Sequence, residues 1–436
     1  MVTVVRAIVV ALCAAAAVFA DTPAGQPATR PATQPAPTGQ TIRVADDDSL
    51  AAALRRAQGG DTILVEPGSY AGFAFDRKFP DGRPLVIKSA QLHKAVFNRG
   101  PALHLGGVAN VVLDGFEVTA MQMNHRGAGG LVHVQGRSRN VTLRNLRVHH
   151  AGFNDDCIKV NQAANINVID CELHDPGMRE QNNGPQETLD YYDVDGGLIQ
   201  GNFFTGGTSR QYLNAKAGSR DIIIENNIML DHYGACGDEA VVLGGHSGTV
   251  RGDYEGVNIT ARNNVIIGSR SGAFQVRNVK GAYIYNNLVY NCVRSPLIQA
   301  VPGQGPGLDG GSDGVYVFNN IFCNTDGRMP ELMRVAGALR NFHHGNNLYY
   351  NADRPIPPTG YYDPGQETGA VLADPQLIIT VEPRYILVFE SLALSPDSPA
   401  IDAGAVPLPQ SPGVPFDIHG MRRPQGKTFD IGPLEQ

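Results

Sequence analysis

Six carboxylates fall in two short stretches of the sequence, FNDDCIKV (153–160) and ETLDYYDVD (187–195). Clustered carboxylates repel one another unless water or a cation lies between them, and Ca²⁺ takes about six to eight oxygen ligands from such a set. Aspartate is also common in turns, which would explain each residue separately. The pattern predicts a calcium site with the ligands Asp155, Asp156, Glu187, Asp190 and Asp193.

The candidate general base is Lys216, in the run NAKAGS (214–219). A lysine accepts a proton near neutral pH only if desolvation or a nearby cation lowers its pKa. Arg277 and a bound metal would both act in that direction. The alternative is a solvated lysine that only pairs with Asp190. We predict Lys216 as the catalytic base and Arg277 as a second catalytic residue.

Histidines near the same part of the chain can also transfer protons. His246, in GGHSG (244–248), lies on a glycine-rich turn and could donate or accept a proton at neutral pH. An ordinary loop histidine would give the same pattern. His149 and His150 follow a strand pattern and could turn towards the same region. We predict His246 as the third catalytic residue and rank the other two histidines below Lys216.

A repeat shows which elements position these residues. The pattern is an apolar residue, any residue, then Gly, Asn or Asp, followed by further apolar positions, as in LDGFEV (113–118) and VFNNIF (317–322). Its third residue recurs at steps of 23 to 37 residues, which is typical of stacked coils of short strands. Asn at this place tolerates left-handed backbone angles and can form a hydrogen-bonded ladder between coils. These third residues are Gly115, Asn145, Asp170, Gly201, Asn226, Asn263, Asn286, Asn319 and Asn346.

The repeat predicts an all-β protein, a right-handed parallel β-helix of about ten coils. Solenoids need caps over the open ends of their core. Ser49 can cap a short helix over 50–57, before a first strand in DTILVEPGSY (61–70). Near the other end, residues 371–436 break the repeat and should pack back on the last coils. The predicted organisation is a signal peptide (1–20), a Pro/Ala/Thr-rich disordered linker (21–40), the β-helix (41–370) and a C-terminal cap (371–436).

Counting back about ten to twelve residues from each marker aligns the preceding strands and gives two outward-facing columns. Two of the seven lysines of the chain fall in these columns, together with His, Asp, Asn and Arg. The long insertions 175–188 and 244–256 border the same coils, and loops often carry sites on rigid scaffolds. The first column is His104, His133, Lys159, Asp190, Asn214, Val242 and Gln275, and the second is Gly106, Gln135, Asn161, Tyr192, Lys216, Gly244 and Arg277. The predicted substrate-binding residues are His133, Lys159, Asp190, Tyr192, Asn214 and Gln275.

Composition limits the partners. The formal net charge of −7 argues against nucleic acid, because phosphate neutralisation needs a positive surface. A polyanionic sugar stays possible if a metal or a local basic patch supplies charge.

The cysteines after the signal peptide match no zinc-site spacing, and Cys171 stands where neighbouring repeats have Phe or Leu, so buried thiols are expected. The short apolar run 7–19 is too short for a membrane span, and we expect a secreted, periplasmic or surface-attached monomer.

Three stretches carry a family resemblance: DYYDVDGGLIQGNFF (190–204), NAKAGSRDIIIENN (214–227) and YEGVNITARNNVIIGS (254–269). They resemble bacterial β-helix proteins related to pectate lyases. The segments SPAIDAGA (398–405) and DIHGMRRP (417–424) resemble the C-terminal region called choice-of-anchor Q. The lyases of this fold cleave uronic-acid polymers by β-elimination, often with calcium on the uronate carboxylate. The resemblance implies that Lys216 is the base and that Asp155 and Asp156 hold calcium.

One feature departs from the lyase families, and another resembles a different family. The lyases place an arginine one coil after the base, where this chain has Gly244 and His246. NDDCIKV (154–160) also resembles the Asp-Asp-Cys block of polygalacturonases, which are inverting hydrolases, but the companion blocks of that family are missing nearby. We therefore predict a lyase acting on an acidic polysaccharide. The first alternative is a non-catalytic glycan-binding protein that uses Tyr191, Tyr192 and Tyr233 to stack on sugars. The second alternative is a hydrolase.

Overall fold

The computed structural model describes residues 39–100, 103–120, 129–178, 184–206, 209–232, 239–245, 247, 251–293, 298–301, 311–335, 337–352, 354–358, 362–382, 388–406 and 414–436. The predicted signal peptide (1–20) and all but the last two residues of the predicted linker (21–40) lie outside these ranges. His246, Tyr233 and Cys236 also lie outside them.

The chain forms an all-β parallel solenoid of about ten coils, as the repeat predicts, and each coil has three faces. The first face comprises Ala74–Phe75, Leu103–Gly106, Gly130–Gln135, Leu213–Lys216, Val241–Gly244, Phe274–Arg277, Ile298–Val301 and Met333–Val335. The second face comprises Thr41–Val44, Thr62–Val65, Leu85–Ser89, Ala109–Asp114, Arg139–Arg144, Ser219–Glu225, Gly256–Arg262, Val279–Tyr285, Ser312–Phe318 and Leu339–Gly345. The long strands Asp156–Ile169 and Leu189–Gln200 run across the corner between these two faces and belong to both.

The third face is a separate sheet of twelve strands. It comprises Gly68–Ala71, Ala95–Arg99, Glu117–Thr119, Arg147–His149, Glu172–His174, Phe203–Thr205, Ile228–Leu230, Val265–Ile267, Leu288–Tyr290, Ile321–Asn324, Leu348–Asn351 and Val371–Leu372. A 3₁₀ turn, Pro364–Gln366, precedes its last strand, and an antiparallel hairpin, Leu377–Glu382 with Val388–Leu394, follows it.

The core fills the space between the three faces, because every second side chain of each strand points inward. Leu189 pairs with Leu213, Leu213 with Val241, and Val241 with Phe274, and all four side chains are fully buried. Burying an apolar side chain of this size contributes about 1.5–3 kcal/mol. The described cysteines, Cys157, Cys171, Cys292 and Cys323, are free and buried, which confirms buried thiols at those positions.

The corner between the second and third faces fixes the repeat. All nine marker residues of the sequence pattern have positive φ, from 51° at Asn346 to 79° at Gly115. Asn and Gly adopt this left-handed conformation most readily, which explains the composition of the marker. The residue after the marker is a buried asparagine in six successive coils: Asn202, Asn227, Asn264, Asn287, Asn320 and Asn347.

These six asparagines form the predicted ladder, one position later than the marker itself. The side-chain amide of Asn227 donates to Asn264 Oδ1 at 2.9 Å, and Asn264 donates to Asn287 Oδ1 at 3.0 Å. The same oxygens accept backbone N–H groups of the preceding coil, at 3.1 Å for Asn227 N on Asn264. Glu367 accepts from Asn347 at 3.0 Å and ends the ladder. Each rung therefore pairs buried polar groups that would otherwise lack partners.

The N-terminal end of the solenoid begins earlier than the sequence indicates. Thr41–Val44 is already a strand and pairs with Thr62–Val65. The helix runs from Asp47 to Arg56 with Asp46 as its N-cap, so the predicted cap at Ser49 is wrong. Ser49 instead forms the reciprocal half of a capping box, because its hydroxyl accepts from Asp46 N at 3.2 Å.

No helix in the described part of the chain has the length and apolar character to cross a membrane.

The C-terminal segment packs against the outer side of the third face. Leu392, Leu394, Ala400 and Ile431 are buried in one cluster with outward residues of that sheet, such as Val265. The tail also hydrogen-bonds to the marker asparagines, whose side-chain amides point out of the corner. Asn263 donates to Phe416 O at 2.7 Å, Asn319 to Ala405 O at 2.9 Å, and Asn346 to Ala403 O at 3.2 Å. The marker asparagines therefore bind the C-terminal segment, whereas the ladder asparagines bind one another.

Replacing a ladder residue should destabilise the protein. Asn264→Ala removes a buried side chain that accepts from Asn227 and donates to Ile224 O at 2.9 Å, and it leaves these groups without partners. We expect a loss of about 2–4 kcal/mol in the free energy of unfolding, measured by urea denaturation. Asn98→Ala, at a half-exposed position on the third face, is the control and should change stability by less than about 0.5 kcal/mol. Equal effects of the two changes would contradict a structural role of the ladder.

Candidate functional site

The strand pairings of the first face confirm the register counted from the sequence. Lys159 pairs with Asp190, and Asp190 pairs with Asn214. In the second column Tyr192 pairs with Lys216, and Gly244 with Arg277. The remaining pairs of the first column are His104 with His133, His133 with Lys159, Asn214 with Val242 and Val242 with Gln275. Side chains from successive coils therefore lie about one strand spacing apart, about 4.8 Å.

Five of these side chains form a charged cluster, defined here as Asp156, Lys159, Glu187, Asp190 and Lys216. Lys159 Nζ lies 2.9 Å from Asp156 Oδ2 and 2.7 Å from Asp190 Oδ2. Lys216 Nζ lies 3.1 Å from Asp190 Oδ1 and 3.6 Å from Glu187 Oε1. Asp190 therefore stands between two ammonium groups, and the cluster holds three carboxylates against two lysines.

Burial separates the carboxylates of the cluster from the lysines. Asp156 and Asp190 are at most 1% exposed, whereas the side chains of Lys159 and Lys216 are 22% and 14% exposed. A buried charge is tolerated only when it is paired. The two lysine side chains therefore lie nearer the surface than the aspartates, which hold their ammonium groups in place.

The environment moves the pKa values of the two buried aspartates apart. Burial, with the charges of Glu187 and Asp190, raises the pKa of Asp156 well above its usual range, against the opposing effect of Lys159. Burial would also raise the pKa of Asp190, but Lys216 and Lys159 outweigh it and lower this pKa to about 2. Asp190 is therefore ionised at neutral pH.

Lys216 has the position predicted for it, but its electrostatic environment differs from the expectation. Burial alone would lower its pKa, yet Asp190 and Glu187 outweigh burial and raise it. Arg277 is two coils away and does not reverse this. The glycine-rich turn also lies directly over the lysine, since a Cβ on Gly245 would be 2.8 Å from Lys216 Cβ. In the unliganded protein Lys216 is therefore a charged, largely covered ion-pair partner, and the expected lowered pKa is wrong.

The predicted calcium ligands do not form one ligand shell. Asp156, Glu187 and Asp190 are close together, but Lys159 and Lys216 lie among them. Asp155 Oδ1 accepts from Gly129 N at 3.0 Å. Asp193 Oδ1 is 2.7 Å from Arg251 Nε, and Asp195 also pairs with Arg251. The charge balance of the described residues therefore does not require a cation here, and calcium binding stays a prediction.

Apart from Asp190 Oδ1, which is ion-paired with Lys216, three polar atoms of the two columns are buried and have no hydrogen-bond partner in the described chain. They are His133 Nε2, Asn161 Oδ1 and Asn214 Oδ1. Burial, with the nearby His104 and Lys159, lowers the pKa of His133 to about 4, so its imidazole is neutral at pH 7. Buried polar atoms without partners are rare in proteins and costly. Their place beside the charged cluster suits a ligand that carries hydroxyl groups.

The remaining predicted residues have mixed outcomes. Tyr192 points outward and is half-buried. Tyr191 is fully buried and donates its hydroxyl to Ile166 O at 2.9 Å, so its expected role in stacking on sugars is wrong. Gln275 donates to Glu239 Oε2 at 2.7 Å.

Residues that the sequence did not single out also support this face. Glu239 is buried beside Gln275. Glu255 is fully buried and accepts from Ala217 N at 2.8 Å and from Ser247 N at 2.7 Å, which ties the glycine-rich turn to the strand of Lys216. A glutamate that ends a loop gives no repeat signal, so counting coils could not find either residue.

Comparisons with known proteins support the fold. No protein-family model matches the sequence, and a search of curated proteins also finds no match. The solved pectate lyase Pel9A is similar over 93% of this chain and 98% of its own, with 16% sequence identity and a TM-score of 0.55. The A-module of the mannuronan C-5 epimerase AlgE4 from Azotobacter vinelandii is similar over 77% of this chain and 100% of its own, with 16% identity and a TM-score of 0.46.

A third similar structure is the PL6 family alginate lyase AlyGC, which matches 86% of this chain and 60% of its own at 15% identity, with a TM-score of 0.45. The TM-scores of the epimerase and the alginate lyase lie below 0.5, so the comparison rests on the pectate lyase. At this identity the likeness shows the parallel β-helix fold alone.

Asp190→Asn should remove a pH-dependent part of the stability. The folded pKa of about 2 lies below the usual aspartate value of 3.8, so Asp190 stabilises the fold above about pH 4, and this contribution is lost as the pH falls from about 4 to 2. We expect Asp190→Asn to lower the free energy of unfolding, measured with urea, by roughly 2 kcal/mol at pH 7 and by progressively less below pH 4. Asp253→Asn, at an exposed position, is the control and should not change this pH dependence. A cost of Asp190→Asn that stays constant between pH 7 and pH 2 would contradict the assignment.

Proposed function

We propose that this protein acts on an acidic polysaccharide and is a lyase that cleaves a uronic-acid polymer by β-elimination. The observation that carries the proposal is the pair of ammonium groups of Lys159 and Lys216, held on either side of the buried Asp190 on the outward face. A polymer that bears a carboxylate on each residue suits such a surface. The predicted signal peptide would place this activity outside the cytoplasm.

The arrangement supplies the groups that β-elimination needs. A base must take the proton from the carbon next to the uronate carboxylate; the electron pair then forms a C=C bond, and the C–O bond to the leaving sugar breaks. A cation must stabilise the charge that develops on the carboxylate. We assign the base to Lys216 and the electrostatic role to Lys159 and Arg277. The buried, unpartnered atoms of His133 and Asn214 lie on the same face, and sugar hydroxyls could bind them if the residues that cover them move.

Lys216 can act as a base only after it loses its own proton. Asp190 and Glu187 are the adjacent acceptors, at 3.1 and 3.6 Å, but both stabilise the charged lysine. The neutral amine is therefore scarce at pH 7 and becomes more abundant as the pH rises. This is the direct consequence of a raised pKa for a basic catalyst.

A hydrolase is the second candidate, because the pKa of Asp156 is raised and the pKa of Asp190 is lowered from the usual aspartate value. One carboxyl group that stays protonated beside one that stays ionised is the pattern of an acid–base pair. Both groups contact Lys159 Nζ through Oδ2 and are almost completely buried, so a sugar could reach them only if the cluster rearranged. We therefore rank this candidate below the lyase.

Lys216→Ala should abolish cleavage. The wild-type protein is first incubated with pectate, alginate and glycosaminoglycans, and the unsaturated product is followed by its ultraviolet absorbance. On the substrate that is cleaved, Lys216→Ala should lower kcat/KM by about 100- to 10,000-fold. Lys280→Ala removes an exposed lysine from the second face and should leave activity unchanged. Full activity of Lys216→Ala would show that Lys216 is not the base, and binding without turnover would favour a glycan-binding protein.

The pH profile separates the lyase from the hydrolase. Because Asp190 and Glu187 raise the pKa of Lys216, lyase activity should keep rising with pH above neutrality. A hydrolase that used Asp156 as its acid would lose activity as the pH rises through the raised pKa of that carboxyl group. The measurement is kcat/KM between pH 5 and pH 10 with product detection for both reactions. Reducing ends without ultraviolet absorbance, with an acidic optimum, would overturn the lyase assignment.

A further inference from the structure

We propose that His150, His174 and Asp175 bind a divalent transition-metal ion of the zinc type at a corner of the solenoid. The proposal concerns a different place from the charged cluster and does not depend on the proposed function. We call these three residues the histidine corner. They lie where two neighbouring strands of the third face end, Arg147–His149 and Glu172–His174.

The strand register brings the donor atoms together. His149 pairs with His174, and their rings stack with centroids 4.8 Å apart. His150 and Asp175 follow these strands with φ of 51° and 50°. One donor atom each from His150, His174 and Asp175 lies within 4.8 Å of the others. Asp175 Oδ2 is 2.8 Å from His174 Nδ1 and 3.8 Å from His150 Nε2. A metal ion would take the place of the proton that His174 and Asp175 share.

Neighbouring groups orient the lone pair of His150 towards this point. His150 Nδ1 and His149 Nδ1 are 2.6 Å apart, so one donates to the other. His149 Nε2 faces Glu117 Oε1 at 3.6 Å, which favours the proton of His149 on that nitrogen. His149 Nδ1 then accepts from His150 Nδ1, and His150 Nε2 keeps a free lone pair on the side of Asp175. Glu117 thus acts on the ligand His150 through His149, as groups beyond the direct ligands orient histidines in metalloproteins.

His174 has a similar support. Its Nε2 lies 3.8 Å from Glu172 Oε1, and its Nδ1 faces Asp175. Arg147 pairs with Glu172 at 2.8 Å and with Glu117 at 3.5 Å, which fixes both supporting carboxylates. His174 therefore has a carboxylate close behind it, and His150 is connected to one through His149.

The donor set selects the metal. Two imidazole nitrogens and one carboxylate oxygen suit Zn²⁺ and similar ions, whereas Ca²⁺ and Mg²⁺ prefer an all-oxygen shell. Three protein ligands leave a fourth position for water. The site also joins two segments that lead into the charged cluster, since Ala151 N donates to Asp175 O at 3.0 Å and Gly177 N to Asp155 O at 2.9 Å. A bound ion would cross-link these segments.

The test is metal titration of the full, tag-free chain. Zn²⁺ binding is measured by calorimetry, and Co²⁺ binding by the visible absorption that tetrahedral Co²⁺ gives with nitrogen and oxygen ligands. We expect one ion per chain. His150→Asn and Asp175→Asn should each weaken binding by at least about 10-fold, and Glu117→Gln by about 10- to 100-fold. Asparagine tolerates the left-handed backbone at both corner positions, so these changes remove donor atoms without straining the turn.

Asp231→Asn is the matched control. Asp231 has the same corner position two coils further along, with φ of 54°, and is not one of the proposed ligands. The Asp231→Asn variant should bind Zn²⁺ as the wild type does. In the wild type, Ca²⁺ should not displace Zn²⁺ at equal concentration. Absence of one-to-one binding in the wild type, undiminished binding in His150→Asn, or an equal loss in Asp231→Asn would each overturn the proposal. Circular dichroism checks that every variant is folded.

Discussion

Each coil of this protein depends on its neighbours, because a parallel strand satisfies its backbone only through the strands on either side. The asparagine ladder adds a buried side-chain bond to this dependence, from Asn202 to Asn347, with Glu367 as its last acceptor. A ladder of this kind allows only one register, since a shift by one residue would bury the left-handed marker and expose the amide. The positions of all other side chains follow from that register.

A fixed register places equivalent side chains of successive coils in contact, and this makes charge compensation necessary. On the first face the sequence alternates in sign between coils, with Lys159 beside Asp190 and Lys216 on the other side of the same aspartate. Burial then makes each partner indispensable to the others. The ion pairs of the charged cluster therefore also connect successive coils.

The register and the solenoid could be predicted from the sequence because they depend on local backbone angles, which the Gly, Asn and Asp markers reveal. The same alternation places Asp190 and Tyr192 outward and therefore Tyr191 inward, so the sequence already held the signal against a role for Tyr191 in stacking. The pKa of Lys216 could not be predicted, because it depends on whether Glu187, at the end of a loop, reaches the same ammonium group. Of the proposed ligands of the histidine corner, only His150 stood out in the sequence, beside His149, since His174 and Asp175 come close to it through strand pairing.

Four residues of the charged cluster, all but Lys216, lie in or directly before the two longest uninterrupted strands of the described chain, Asp156–Ile169 and Leu189–Gln200. These strands continue across the corner between the first and second faces, where other coils break into two strands. Such a backbone limits the movement of Lys159 and Asp190, which a site that must hold buried charges at fixed distances requires. The segments that enter both strands begin at the histidine corner, at His150 and Asp175. The longest strands, the histidine corner and four of the five cluster residues therefore belong to the same pair of coils, and a function on the first face would depend on how these entering segments are held.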